Sequence, residues 1–333
     1  MVFPPPLIVG GGTFSEQYNS DPESLPISEI LRYAFTNGVN AIDTSPYYGD
    51  SEILIGKALK ELSDEFPRES YSICTKVGRI SLDSFDYSKE HVEFSVRRSC
   101  ERLNTTYLDL VYLHDVEFVP LEDTLIALRE LRRLKDIGLI KRFGLSGYPV
   151  HYLYEVTRKC ATEYVDDIGP LDAILSYCNL NLQNVVLDNY YDKLKNECKI
   201  GIISNASILS MSLLREQETV AFHPCSKELR DCADKAADHC QSKGMKLSDL
   251  ATRYAVSKWI GKGPTVIGVS SVEEMATAIR NYKKIEERLP NNKLTDEETE
   301  MVKEIQESIF GSHFNETWSS GLISGSDTHK PSV

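Results

Sequence analysis

Short apolar runs alternate with longer amphipathic segments along almost the whole chain. Apolar runs at 7–9, 40–43, 71–75, 108–113, 140–145, 171–176, 199–204 and 264–269 predict strands. Apolar positions spaced by three and four residues over 27–36, 52–62, 91–103, 121–134, 152–160, 185–194, 247–259 and 272–287 predict helices. In the first of these, Ile27, Ile30, Leu31, Ala34 and Phe35 share one face. Ser51 is placed to cap the second helix and Gly138 to end the fourth. Several strands are apolar on successive residues, as over 200–203, the pattern of a strand buried on both faces. A strand followed by a helix, repeated eight times in about 280 residues, fits one closed α/β barrel, a (β/α)8 TIM barrel spanning 1–333 as a single domain. A doubly wound two-domain protein would need a linker near the middle, and no Pro/Gly/Ser-rich stretch provides one. Two segments exceed the minimal unit. One is the long region 205–245, of the kind that shapes a barrel's pocket; the other is an extra C-terminal helix after Leu294, with a polar, flexible tail over 319–333.

Charge narrows the range of partners. The 333 residues include 50 acidic and 37 basic side chains, for a net charge of −13 and a pI near 5.1. Such acidity, with no basic tail, argues against nucleic acid and anionic membranes. No apolar run reaches ~18 residues, so no transmembrane helix is expected. The segment Met1 to Pro6 lacks the basic start and apolar core of a signal peptide. Eight scattered cysteines without a C-x-x-C pair predict reduced thiols and a cytoplasmic protein. His223, Cys225, Cys232, His239 and Cys240 form the one local group with zinc-binding chemistry. Its spacing matches no common zinc module, and Cys232, Ala233, Ala236, Ala237 and Cys240 repeat as a helix face, so no metal is expected.

In a parallel barrel the reactive side chains sit at the C-terminal ends of the strands. Asp43 ends the second predicted strand, with Tyr47-Tyr48-Gly49 just beyond it. Lys76 ends the third, and His114-Asp115 follow the fourth. Each polar group follows an apolar run directly, which places Asp43, Tyr48, Lys76 and His114 at one rim. Together these types point to proton transfer. A phenol has a pKa of ~10 and is a weak base at neutral pH; a neighbouring ammonium lowers that value, and a carboxylate keeps the ammonium charged. An imidazole beside them polarises a substrate oxygen. Any one such residue alone is more often a loop or cap residue, whereas four at successive strand ends form a constellation. Neither common nucleotide motif competes with it. Ser15 stands where G-x-G-x-x-G needs its last glycine after Gly10 and Gly12, and Gly261-Lys262-Gly263 lacks the rest of a phosphate loop.

The segments Asp43-Thr44-Ser45-Pro46-Tyr47-Tyr48-Gly49, Thr75-Lys76-Val77 and Asp109-Leu110-Val111-Tyr112-Leu113-His114 together resemble the aldo-keto reductase superfamily, over Leu7 to about Phe310. The resemblance implies a (β/α)8 barrel, a nicotinamide dinucleotide, and a catalytic tetrad of Asp43, Tyr48, Lys76 and His114. His114 to Phe118, Leu175 to Asn179 and Asn205 to Met211 are similar to its aldose 1-dehydrogenase branch. That branch implies oxidation of a small aldose at the anomeric carbon. D-Arabinose would give the 1,4-lactone, a step toward D-erythroascorbate, and L-galactose and L-fucose are further substrates. The oligomeric state it implies is a monomer or a homodimer. Cofactor contacts carried over are Gly12, Thr13, Asp43, Ser146, Ser176, Ser207, Leu209, Met211 and Ser270; Ser270 also suits the cap of the helix at 272. Members that prefer NADP usually carry Lys after the eighth strand and Arg six residues later. Val269 and Met275 stand there instead, and Glu273 and Glu274 add negative charge, so NAD is expected. The chain departs from the wider family in having Ser146-Gly147 for Ser-Asn, Ser176 for Gln, and Ala206 near the position of a ring-stacking Tyr. Two alternatives stay open. One is an NADP-linked aldehyde reductase of broad specificity. The other is a non-enzymatic barrel that senses pyridine nucleotide, against which the intact tetrad argues.

Overall fold

The alternation of apolar runs and amphipathic helices closes into a cylinder. The computed structural model describes residues 4–290 and 293–322. Its strands are β1 (Leu7–Gly10), β2 (Ala41–Asp43), β3 (Ser72–Val77), β4 (Leu110–Leu113), β5 (Phe143–Gly147), β6 (Ala173–Tyr177), β7 (Ile202–Ala206) and β8 (Thr265–Gly268). They pair in parallel in chain order, and β8 returns to β1 to close the barrel. The helices are α1 (Ile27–Thr36), α2 (Ser51–Glu61), α3 (Lys89–Arg102), α4 (Leu121–Asp136), α5 (Val150–Thr162), α6 (Val186–Asn196), α7 (Lys227–Ser242), α8 (Leu247–Trp259), α9 (Val272–Glu286) and α10 (Asp296–Lys303). Among the described residues no helix is long and apolar enough to cross a membrane.

Helix positions follow the predicted faces. α1 buries Ile27, Ile30, Leu31, Ala34 and Phe35, the stripe read from its spacing. Gly138, at φ +81°, ends the turn after α4. Two caps differ from expectation. Asp50 precedes α2, while Ser51 is its first helical residue and turns inward, its hydroxyl donating to the Gly11 carbonyl at 2.8 Å. Ser271, not Ser270, caps α9, its hydroxyl accepting from the Glu274 N–H at 3.1 Å. The cysteine-rich segment is the helix α7, with Ala233, Ala236 and Cys240 buried. The two histidines near it are engaged elsewhere. His223 Nε2 donates to the Ser210 carbonyl at 2.9 Å while its Nδ1 accepts from Cys225 N–H, and His239 pairs with Glu304 at 2.7 Å.

Alternation within the strands places the site. Ala41, Cys74, Leu110, Tyr112, Ala173, Leu175, Ala206 and Val266 pack together inside the cylinder, while their neighbours pack outward against the helices. A step of two along each strand keeps a side chain on the same face. The inner face therefore runs from Ala41 to Asp43, from Cys74 to Lys76, and from Tyr112 to His114 at the C-terminal mouth. β1 and β6 reach one residue beyond their predicted ends and β3, β5 and β7 two, at Val77, Gly147 and Ala206, while β2 and β4 end as predicted and β8 one residue short. Their last inward residues are polar or small, yet the ladder continues through them. At the opposite mouth, carboxylates tie strand starts together. Asp109 accepts from Ile73 N–H at 3.0 Å and from Arg68 at 2.7 Å, and Asp172 accepts from Phe143 N–H at 3.0 Å. Asp109, although part of the recognised motif, thus holds the frame at the face away from the chemistry.

Candidate active site

All eight strand ends supply residues to one cavity of about 720 Å³ at the C-terminal mouth: Gly10, Asp43, Lys76, His114, Ser146, Tyr177, Ala206 and Gly268. At its floor, Lys76 Nζ donates to Asp43 Oδ1 at 2.5 Å and to the Thr44 carbonyl at 3.0 Å. The same nitrogen lies 4.8 Å from the centre of the Tyr48 ring. The Tyr48 ring meets the His114 ring edge-on, with centroids 5.7 Å apart. His114 Nδ1 is 3.0 Å from the Ser45 hydroxyl, which also accepts from Tyr47 N–H. Tyr87 fixes the His114 backbone by donating to its carbonyl at 2.8 Å. The four predicted catalytic groups therefore meet at one rim.

Burial sets their charges. It opposes ionisation of Lys76, but Asp43 and then Tyr48 outweigh it and hold the ammonium above the ordinary lysine range. Burial raises Asp43, and Lys76 pulls it back. Burial, followed by the cations Lys76 and Arg79, keeps His114 well below its ordinary value, so the imidazole is neutral. For Tyr48 the net direction differs from expectation. Desolvation raises the phenol, with Lys76 as the largest opposing influence. The ammonium limits the rise rather than producing a net fall.

The wall divides into two arcs. The β7–β8–β1 arc holds Gly12, Thr13, Ser207, Leu209, Met211 and Arg215. The opposite arc, over β3 to β6, holds Arg79, Asp115, Phe118 and Tyr177, with Trp318. Of the predicted cofactor contacts, Gly12, Thr13, Asp43, Ser146, Ser207, Leu209 and Met211 line the cavity. Ser176 and Ser270 do not. Ser176 lies between the inward Leu175 and Tyr177, so strand alternation turns it to the outer face, where its hydroxyl accepts from Asn179 at 3.0 Å. Ser270 lies just past the rim and accepts from Asn19 at 3.1 Å. That contact, with the Thr13 hydroxyl donating to the Val269 carbonyl at 2.7 Å, ties the first loop to the last.

These residues fit a nicotinamide dinucleotide. Gly10, Gly12 and Gly268 keep side chains out of the first arc, and a Cβ on Gly268 would sit 2.8 Å from the Thr13 methyl. Ala206, at the place of a ring-stacking Tyr, leaves room for a planar group. Where the arcs meet, Asp43 Oδ2 is buried without a partner and is free to accept from a bound group.

The chain's C-terminal segment closes the second arc, a feature without a periodic signal in the sequence. Trp318 stacks on Tyr148 with centroids 4.6 Å apart, and the Ser320 hydroxyl donates to Glu117 Oε1 at 2.9 Å. Leu322 N–H donates to the Glu117 carbonyl at 2.8 Å. Gly321, at φ +61°, passes so close that a Cβ would lie 2.3 Å from that carbonyl, and only glycine fits. The polar tail expected over 319–333 is therefore anchored through Leu322, and 323–333 lie outside the described residues.

Glu117 governs this anchor. Burial and the neighbouring Asp115 push its carboxyl up to about 8, and its Oε2 has no partner. Because the folded value exceeds the ordinary one, the protonated carboxyl favours the fold below about pH 4.5, and that contribution is lost as pH rises toward about 8. Glu117→Gln keeps an acceptor for Tyr148 N–H and Ser320 and has no charge to bury. We expect wild type to lose on the order of 2–4 kcal/mol more than the variant between pH 5 and pH 9. Thermal melts at both pH values check this; parallel losses would show that Glu117 does not titrate with folding.

A parallel barrel whose mouth carries a buried ammonium beside a tyrosine and a neutral histidine defines an oxidoreductase that moves a proton at a carbonyl or alcohol oxygen. The chain belongs to the Aldo/keto reductase family, whose model matches residues 6–307; aldo-keto reductases use nicotinamide cofactors. It is 57% identical to the D-arabinose 1-dehydrogenase of Saccharomyces cerevisiae over 317 residues, covering 95% of this chain and 94% of the relative. It is 35% identical to the L-galactose dehydrogenase of Arabidopsis thaliana over 296 residues, covering 88% and 86% respectively. In fold it is similar to an aldo-keto reductase from Bacillus halodurans, with a TM-score of 0.64 and 19% identity over 93% of this chain and 95% of the other.

Proposed function

We propose that the protein is a cytoplasmic, NAD-dependent aldose 1-dehydrogenase that oxidises D-arabinose at its anomeric carbon to the 1,4-lactone, with L-galactose and L-fucose as further substrates. The observation that carries this reading is the near full-length similarity to a D-arabinose 1-dehydrogenase, with the Asp43–Lys76–Tyr48–His114 arrangement intact. Eight free thiols agree with a reducing compartment.

A bound nicotinamide supplies the hydride acceptor, held by the first arc. The chain's own residues manage the proton. Tyr48 takes it from the anomeric hydroxyl, and Lys76, kept charged by Asp43, stabilises the phenolate as it forms. Ser45 occupies Nδ1 of His114, leaving Nε2 to meet the reacting oxygen. The walls of aromatic rings exclude water, which strengthens each of these interactions. The direct test is a sugar panel with NAD⁺ and chemical identification of the product. Lactone from D-arabinose is the expected result; turnover confined to NADPH and simple aldehydes would reject the proposal.

The preference for NAD rests on the turn after β8. Val269 and Met275, where NADP-preferring members carry cations, are only 2% and 1% exposed and pack into the core. Glu274 occupies the surface there. Its Oε2 accepts from Ser270 N–H at 2.7 Å and its Oε1 pairs with Arg215 at 3.0 Å. A 2′-phosphate would meet this carboxylate and find both its natural donors taken. Glu274→Ala frees Arg215 and the Ser270 N–H, and kcat/KM with NADP⁺ is expected to rise roughly 10-fold relative to NAD⁺. An unchanged ratio in steady-state assays would show that Glu274 is not the discriminator.

A further inference from the structure

Asp115 follows His114 directly, and strand alternation alone would turn its side chain outward. Its backbone is instead left-handed, at φ 57° and ψ 61°, and the buried side chain lines the cavity. Asp is one of the few residue types that tolerates this conformation. Its Oδ2 lies 3.7 Å from His114 Nε2 and accepts from Arg79 Nη1. Arg79 is itself held on several sides. Its guanidinium lies 4.1 Å from the Tyr47 ring centre and 5.3 Å from that of Phe118, and Nη2 donates to the Leu82 carbonyl at 3.1 Å. The carboxylate is therefore fixed in place before any substrate arrives.

A carboxylate offers about four acceptor positions. One guanidinium bond leaves the others open to donors from the cavity. Tyr47, Phe118, Tyr177 and Trp318 wall the cavity here, but among the described residues the side chain that donates to Asp115 is Arg79 alone, so a substrate brings the further donors. His114 Nε2 marks the place of the reacting oxygen, and Asp115 Oδ2 stands beside it. The group within its reach is a substituent on the carbon next to the reacting one. In an aldose that substituent is the 2-hydroxyl. The ring oxygen, on the other side of the anomeric carbon, has no hydrogen to give.

We propose that Asp115, positioned by Arg79, accepts a hydrogen bond from the hydroxyl adjacent to the reacting carbon and so selects 2-hydroxy aldoses over 2-deoxy sugars and simple aldehydes. The proposal rests on the reading of the reaction as aldose oxidation. A substrate without that hydroxyl leaves a buried acceptor unpaired, and a site built around such a bond rejects the analogue lacking it.

D-Arabinose and 2-deoxy-D-ribose differ only in the 2-hydroxyl, and the full-length protein is assayed with both and NAD⁺. Wild type is expected to favour D-arabinose by roughly 100-fold in kcat/KM. Asp115→Asn is expected to lower D-arabinose at least ~10-fold more than 2-deoxy-D-ribose. Equal loss on both sugars would mark Asp115 as structural and overturn the proposal. So would a wild-type preference below ~3-fold, which decides the matter even if the variant does not fold. The two sugars are also titrated against the intrinsic tryptophan fluorescence, to which Trp318 in the cavity wall and the core Trp259 contribute. If wild type oxidises no aldose, tighter binding of D-arabinose that vanishes in Asp115→Asn sustains this proposal while the dehydrogenase reading falls. Equal binding of the two sugars, or none, overturns it.

Discussion

Tyr48→Phe is expected to cut kcat for D-arabinose oxidation by roughly 10³-fold while leaving NAD⁺ affinity within about twofold of wild type. The substitution removes one oxygen and keeps the ring that packs against Lys76 and His114. Cofactor contacts in the first arc are untouched, and the one hydrogen bond lost is that between the phenol oxygen and Lys76, whose ammonium keeps Asp43 and the Thr44 carbonyl as partners. The loss therefore falls on the chemical step. Lys76 cannot take over, because its proton is held tightly by Asp43 and the ammonium lies above its ordinary range. His114 cannot take over readily either, since burial and two cations make it a poor base. Fluorescence titration with NAD⁺, steady-state rates and a thermal melt measure the three quantities together. Turnover near wild type would remove Tyr48 from the proton-transfer role, and a collapse of cofactor binding would assign it to the binding surface instead.

The barrel was legible because its apolar runs are short and its helices amphipathic. α1 and α8 have the predicted bounds, Ile27–Thr36 and Leu247–Trp259, since their stripes end abruptly. Strand ends were less legible for a physical reason. An apolar run stops at the first polar side chain, whereas the ladder continues through polar residues that face a cavity, as at Lys76 and Ser146. The tetrad could be read because Asp43, Lys76 and His114 each follow an inward apolar residue by one step of two. The same parity rule places Ser176 on the outer face and Tyr177 on the inner one, and it was available from Leu175 alone. Asp115 breaks that rule through a left-handed backbone, which no local pattern announces. The Trp318–Leu322 anchor depends on partners 170 and 203 residues away in the chain. Contacts of that span leave no periodic trace, and Gly321 explains its own identity only once Glu117 is seen beside it.

Lys76→Met separates catalysis from stability at the cavity floor. Wild type holds the pair Lys76–Asp43 at 2.5 Å, both side chains nearly free of solvent. Removing the cation leaves a buried carboxylate with neither oxygen paired to a charge, and breaking such a pair costs about 3–5 kcal/mol. Asp43 is already raised by burial, and the loss of Lys76 removes the influence that lowers it. A raised carboxyl contributes stability below its unfolded value, and that contribution is lost as pH rises through the folded one. The variant's deficit is therefore expected to be small near pH 5 and full near pH 8. Asp43→Asn in the same chain removes the charge and should recover all but about 1–2 kcal/mol, with the pH dependence of the deficit gone. Turnover behaves differently. Without the ammonium the Tyr48 phenol climbs further, because its largest opposing influence is Lys76. Both the single and the double variant should lose roughly 10²–10⁴ in kcat, and the residual rate should rise with pH over a range shifted upward from wild type. Melts at pH 5 and pH 8 with pH–rate profiles of all three proteins check this. Recovery of turnover along with stability in the double variant would mean that Lys76 serves only to neutralise Asp43 and takes no part in stabilising the phenolate.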